Sequence, residues 1–458
     1  MPFNSWLFSI FFMLTAAGFF ALKRTKFWQA WLLLASYVFY GWLNPLYVPM
    51  ILWTTALNYL AGRKIESSPH KNAWLTVALV NNLLILGVFK YAVFAVENMN
   101  TFFGAVGMSY TLPVPGQLLP IGLSFYTFIA TGYIIDCWRG TVPAEKNFIR
   151  FAAFVSFFPY LLAGPIERAK NMLPQLKNAP AFKSDQLTEG LSLFVTGLFK
   201  KIALADFLAL YVNRVYGEPA EAGGLVLLMA TYAFAWQIYF DFSGYTDMAR
   251  GCARMLGFEL MLNFKNPYLA ESLGEFWGRW HISLSSWFRD YLYIPLGGNR
   301  KGRIGTYRNM IITMLVAGLW HGAAWNFVIW GGIHALGRSI MKELENTRFY
   351  AERIPKFMKQ MLVFHIVCLA WIFFRAETFG KAIEILTGIF TRPWNDPAFP
   401  IAGFIFILSV WAYQFIFESR LKRALELSYM KIALMTLMLL YMIFFRTAGY
   451  EIFLYFRF

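Results

Sequence analysis

The sequence predicts an all-α polytopic membrane protein, and three observations carry that reading. Of its 458 residues, 58% belong to the hydrophobic set and only 14% are charged, whereas a soluble globular chain is nearer a quarter charged. The apolar residues fall in long runs, of the length that crosses a bilayer, separated by short polar loops. The formal charge of +16, from 41 Lys and Arg against 25 Asp and Glu, falls mainly in those loops, as the retention of basic residues on the cytoplasmic side predicts. A basic soluble protein would suggest nucleic acid as a partner. Here no basic tail or RNA-binding motif supports that, and no nucleic-acid partner is expected. Cys137, Cys252 and Cys368 are scattered in apolar segments without a CxxC pair or Cys/His spacing, which argues against a zinc site or a disulfide framework.

The opening run MPFNSWLFSIFFMLTAAGFFALKRTK places Lys23, Arg24 and Lys26 after its apolar stretch. That is the reverse of a secretory signal, so a retained first span with an outside N-terminus is expected. Further spans follow at about 27–43, 47–60 and 73–89. Glu97, Asn98 and Asn100 interrupt residues 92–118, which read as an interfacial helix ahead of a clear span at 119–138. The run FAAFVSFFPYLLAG (151–164) is short for a crossing, has basic residues on both flanks, and is broken by Pro159, Gly164 and Pro165. A re-entrant segment fits it, with GPIER (164–168) as a cavity wall. Lys200 and Lys201 sit in the middle of the helical pattern at 190–215, where two elements meet or a helix emerges at the interface. The run at 225–258 leads into FDFSGYTDMA, so Asp241 and Asp247 are expected at a helix end or in a polar network.

From about Glu275 to Leu292 the period is that of one amphipathic surface helix. Trp277, Trp280, Leu284, Trp287 and Tyr291 form one face, and His281 lies at its edge. The loop GGNRKGRIGTYR (297–308) supplies four basic residues, Arg300, Lys301, Arg303 and Arg308. It reads chiefly as a topology signal, since it is no phosphate-loop motif. Residues 310–338 are apolar throughout. They place His321 among the small residues Ala317, Gly318, Gly322, Ala323 and Ala324, with His334 about 220° further around one helix. Later spans fall at about 361–374, 401–417 and 432–445. Between them ETFGKAIEILTGIFTRPWNDP reads as a surface helix and loop, and YEIFLYFRF as an interfacial anchor. Run lengths give roughly ten to twelve spans, with re-entrant and interfacial helices, in one integral-membrane domain covering 1–458.

Polar groups within such a chain need a reason. His321 is the leading candidate: a neutral imidazole in a dry site can act as general base toward a hydroxyl, and Gly318 and Gly322 would leave an open face beside it. A packing histidine bonded across helices is the rival reading. His281 alone reads as a surface histidine packed on tryptophan, but paired with His321 it would orient substrate or stabilise an oxyanion. No carboxylate or Cys accompanies either at ligand spacing, so no metal is expected. His70, His334 and His365 read as structural.

The residues PFNSWLF, LPIGLSFYTF (119–128), FFPYLLAGPIER (157–168), GLFKK (197–201), YFDFSGYTDMA (239–249), NFKNPY (263–268), EFWGRWHISLSSWFRDYLYIPLGGNRKG, GLWHGAAW (318–325), FFRAETF (373–379) and FLYFRF occur in order. In these the chain resembles the membrane-bound O-acyltransferases, and within them the bacterial branch that acetylates alginate or transfers D-alanine to teichoic acids. The resemblance implies a ring of helices around a central funnel in the bacterial inner membrane. His321 would be the essential histidine and His281 the second. The donor implied is acetyl-CoA or another acyl thioester, reached from the cytoplasm. The acceptor implied is a hydroxyl of a cell-envelope polysaccharide, with a periplasmic acetyltransferase as partner beside the lipid bilayer. Gly278 stands where a basic residue is common and Tyr160 where Gln is common. D-alanyl transfer, acetylation of peptidoglycan or cellulose, and a non-catalytic acyl-group transporter are the alternatives. The last would show two related halves, and no such repeat is present.

Overall fold

A computed structural model describes residues 1–116, 120–181, 183–394, 401–419, 427–444 and 453–454. Among them all regular structure is helical. Among the described residues three helices are long and apolar enough to cross a membrane: Lys71–Ala105, Gly224–Met255 and Lys356–Arg375. Trp6–Leu22, Gly403–Ile416 and Tyr429–Phe444 are shorter apolar helices. The chain packs as two units, one of residues 1–191 with 249–261, the other of 192–248 with 262–458.

In the first unit, the helices Tyr47–Ser67 and Lys71–Leu86 are joined by reciprocal amide hydrogen bonds between Asn58 and Asn82, at 2.9 and 3.1 Å. Buried side-chain amides serve here as polar glue between apolar helices. The expected break before residue 92 is absent. A π turn at Gly87–Tyr91 carries the helix on to Ala105. Its polar residues are satisfied locally: Asn98 donates to the Phe94 carbonyl at 2.7 Å, and Asn100 clasps the backbone of Leu112 at 2.7 and 2.9 Å. They interrupt the hydropathy without interrupting the helix.

The segment 151–164 is not one helix. Phe148–Ser156 ends at Phe157 (ψ 112°), a single turn follows at Phe158–Leu161, and irregular chain continues through 162–168. Ser36 Oγ accepts the Phe158 N–H at 3.1 Å, which satisfies a donor freed by the break. A Cβ on Gly164 would stand 2.3 Å from Tyr160 Cα, so the chain folds back on itself only with glycine there.

In the second unit, Lys200 and Lys201 open a π turn, Lys200–Ala205, between the helices Ser184–Phe199 and Asp206–Gly217. Buried Lys201 bridges Asp206 at 2.8 Å and Asp241 at 2.7 Å, while Lys200 pairs with Asp247 at 2.7 Å. Asp241 and Asp247 are therefore network residues. They lie inside the continuous helix Gly224–Met255 and not at a helix end. Asp241 also accepts the backbone N–H of Leu454 at 2.8 Å. Phe453 and Leu454 are buried; the rest of YEIFLYFRF and residues 395–397 lie outside the described residues.

Candidate active site

The stretch expected to be one surface helix is three short pieces. Leu273–Arg279 and Ile282–Phe288 are separate helices, and a π turn, Arg289–Tyr293, follows. The hinge is His281, whose backbone is left-handed (φ 43°, ψ 54°). Asn266 is the other non-glycine residue with positive φ among the described residues. Such a conformation costs on the order of 1–3 kcal/mol and persists only where neighbours impose it. Asn263 does so. Its carbonyl accepts the Ile282 N–H at 3.0 Å and its side-chain oxygen accepts the Ser283 N–H at 3.1 Å. The kink turns His281 inward, where it is fully buried against Phe242, with ring centroids 4.6 Å apart. The periodicity had placed it at an exposed edge, because a helical wheel cannot register a left-handed residue. Burial pushes its imidazole down to about 3, so His281 is neutral at physiological pH.

The apolar run 310–338 is likewise not one helix. Gly302–His321 and Trp325–Glu345 form a hairpin, separated by extended residues at Gly322 and Ala324. The two helices run antiparallel. A Cβ on Gly318 would stand 2.2 Å from the Phe327 carbonyl oxygen, and one on Gly331 would stand 2.3 Å from that of Met314. The glycines beside His321 thus admit a neighbouring helix, not a substrate: the Gly322 position faces the Phe327 ring, 2.0 Å from where a Cβ would lie. The open side of His321 lies elsewhere, and the phase relation to His334 does not apply, since the two histidines are on different helices.

His321 ends its helix, 5% exposed, and lines a cavity of about 510 Å³. Trp277, Ile282, Phe288, Met314 and Ala317 give the cavity apolar walls, and Ser285 and Ser286 add hydroxyls. Arg289, Arg338 and Lys342 line it as well. Arg338 and Lys342 sit one turn apart near the far end of the Trp325–Glu345 helix, Arg338 about 20 Å from Trp325 at 1.5 Å per residue. The Arg338 guanidinium lies over the bare backbone of Gly274 and is braced by Glu345 at 3.1 Å. Arg300, Lys301, Arg303 and Arg308 do not line the cavity among the described residues; Arg303 pairs with Glu343 across the hairpin. Arg338 and Lys342 are site residues that the hydropathy pattern does not mark. Their i, i+4 spacing, on a helix that begins four residues after His321, was the available signal.

His281 does not line the cavity, although Ile282 does. Trp320 touches both histidines, with centroids 6.1 Å from His281 and 5.0 Å from His321. The histidines are brought into one neighbourhood but placed differently, one on the cavity and one behind an indole. No group of three or more His, Cys, Asp or Glu suited to a metal occurs among the described residues. The cavity joins basic side chains that suit an anion, apolar walls, and one imidazole, a group able to accept and return a proton.

Comparison with known proteins matches a family model, membrane-bound O-acyltransferase, to residues 143–378, a range that contains every site residue above. The chain is 40% identical to the probable alginate O-acetylase AlgI of Pseudomonas aeruginosa over 395 residues, 85% of this chain and 75% of that protein. It is 34% identical to the peptidoglycan O-acetyltransferase of Helicobacter pylori over 397 residues, 80% of this chain and 74% of that protein. Similarity to the teichoic acid D-alanyltransferase of Streptococcus thermophilus is 32% over 231 residues, 47% of this chain and 55% of that protein.

Proposed function

The chain belongs to the membrane-bound O-acyltransferase family, and from that premise we propose that it moves acetyl groups from a cytoplasmic thioester toward hydroxyls of an exopolysaccharide such as alginate. One observation carries this reading: His321 faces a cavity that Arg289, Arg338 and Lys342 also line. A thioester donor such as acetyl-CoA joins an apolar arm to phosphates. Basic side chains suit the phosphates and the apolar walls suit the arm. The acceptor oxygen attacks the thioester carbonyl, an O–C bond forms, and the C–S bond breaks. His321 takes the hydroxyl proton and returns it to the departing thiolate. His281, neutral and buried, assists by holding the Trp320 side of the site.

The whole of 1–458 acts, in this reading, as one integral-membrane domain of roughly ten to twelve spans. Its helices surround a funnel in the bacterial inner membrane, the broken 151–164 segment is re-entrant, and a periplasmic acetyltransferase receives the acetyl group. Acetylation of polysaccharide is favoured over D-alanyl transfer because the acetylase likeness covers 85% of the chain and two D-alanyltransferase likenesses cover 47% and 57%. Replacing His321 by Ala abolishes polymer acetylation while protein level and insertion stay unchanged. Retained acetylation removes His321 from the reaction. Turnover of acetyl-CoA against an alanyl carrier-protein thioester in a purified assay separates the two donors.

A further inference from the structure

His334 is a buried titratable group with no part in the chemistry above. It is fully buried, and neither ring nitrogen has a hydrogen-bond partner among the described residues. Phe276 and Trp277 wall it, with centroids at 6.1 and 5.0 Å. An imidazole without hydrogen bonds is a costly filler where a phenyl ring would pack equally well. Its position is informative. Trp330, one helical turn earlier, stands between His334 and His321, with its ring centroid 4.9 Å from each and interplanar angles of 68° and 79°. Trp330 is itself fully buried, and its indole N–H has no hydrogen-bond partner among the described residues. Aromatic contact, not hydrogen bonding, holds this tryptophan.

His321 meets two more rings nearly at right angles, Trp320 at 5.0 Å and Phe374 at 5.2 Å, with angles of 78° and 74°. Three aromatic side chains, from its own helix, the facing helix and the helix Lys356–Arg375, surround the imidazole, and the cavity takes another side. Perpendicular ring pairs set a positive edge against a negative face. Where such a ring turns its face to a cation, the cation is stabilised.

We propose that Trp330 is a positioning residue for His321, held from behind by His334. The aromatic walls fix the imidazole plane toward the cavity and stabilise the imidazolium formed when His321 takes the acceptor proton. The proposal rests on the reading of His321 as the base.

The test is the pH dependence of kcat for acetyl transfer by the purified full-length protein, with acetyl-CoA as donor and an alginate oligomer as acceptor. Trp330→Leu is expected to lower kcat about tenfold with the acetyl-CoA KM within about twofold. The acid limb of its profile moves to lower pH by about 0.5–1, because the protonated base has lost a stabilising face. Trp330→Phe restores most of both properties, and His334→Leu gives a smaller change in the same sense. An unmoved acid limb in Trp330→Leu, or a rise in KM at constant kcat, overturns the proposal. If Trp330→Leu fails to insert, His334→Leu decides, since it removes the ring that packs behind Trp330 and leaves Trp330 itself in place: an acid limb at lower pH supports the proposal and an unchanged one overturns it. His321→Ala is the separate control. Activity there defeats the base reading itself, whereas an inactive His321→Ala beside an unmoved Trp330→Leu profile defeats only the aromatic support.

Discussion

Gly331 lies so close to Met314 that a Cβ would stand 2.3 Å from the Met314 carbonyl oxygen. Backbone meets backbone here, so no side chain can yield. Gly331→Ala is therefore expected to destabilise the hairpin by about 1–3 kcal/mol or more, as overpacking does. Gly332→Ala, where nothing lies within 4 Å, should be neutral or slightly stabilising. Thermal unfolding in detergent distinguishes them, and equal midpoints for the two variants would refute the close approach.

That contact also shows what the sequence conveys and what it hides. The motif GLWHGAAW singles out His321 from composition alone, because a histidine among Trp, Gly and Ala is conspicuous. The hairpin is invisible at this level, since 310–338 is apolar on both sides of the break and one helix has the same hydropathy as two. His281 was misplaced for a different reason. Its left-handed backbone is imposed by Asn263, eighteen residues earlier, and no local period contains a non-local clamp. The membrane class and the break near Pro159 are legible, because each follows from local charge or helix-breaking chemistry; for Asp241 and Asp247 the sequence leaves a helix end and a polar network open, and only the second holds.

Lys201 connects two helices through Asp206 and Asp241 inside a buried environment. Removing Lys201 takes the shared cation from both buried carboxylates, and breaking a buried pair in this way costs about 3–5 kcal/mol. Lys201→Met should therefore destabilise strongly, whereas Asp241→Ala leaves Lys201 paired with Asp206 and costs less, chiefly by stripping the acceptor from the Leu454 N–H. Lys201→Met combined with Asp241→Ala is expected to cost less than the sum of the single changes. Additive losses across the four proteins of this cycle would mean that the pair is not coupled.

His281 gives stability an acid dependence of definite sign. Its folded pKa of about 3 lies below the ordinary value of 6.5. The unfolded chain therefore binds the proton more readily, and the contribution is complete above pH 6.5. It drains away as pH falls from there toward 3. His281→Asn removes the titration and keeps a side chain that tolerates the left-handed backbone. Unfolding midpoints between pH 7 and pH 4 should fall less steeply for this variant than for the parent. Parallel slopes would place the imidazole in water.

Arg338 and Lys342 should act on donor binding and not on the chemical step. Both line the cavity that holds His321, yet each lies well over ten residues along the helix from its Trp325 end, too far for either to touch a reacting carbonyl beside His321. Charge-assisted contacts to phosphate contribute equally before and during reaction, and loss of such uniform binding raises KM with kcat unchanged. Arg338→Gln and Lys342→Gln are each expected to raise the acetyl-CoA KM about tenfold and to weaken its dependence on salt. Gly274→Ala tests the same geometry from the opposite wall, since a Cβ there would stand 2.7 Å from the Arg338 guanidinium and must displace it. A phosphate-free donor, acetyl-pantetheine, should not distinguish the parent from these variants. If it does, the two side chains support the fold of the cavity and do not bind the phosphates of the donor.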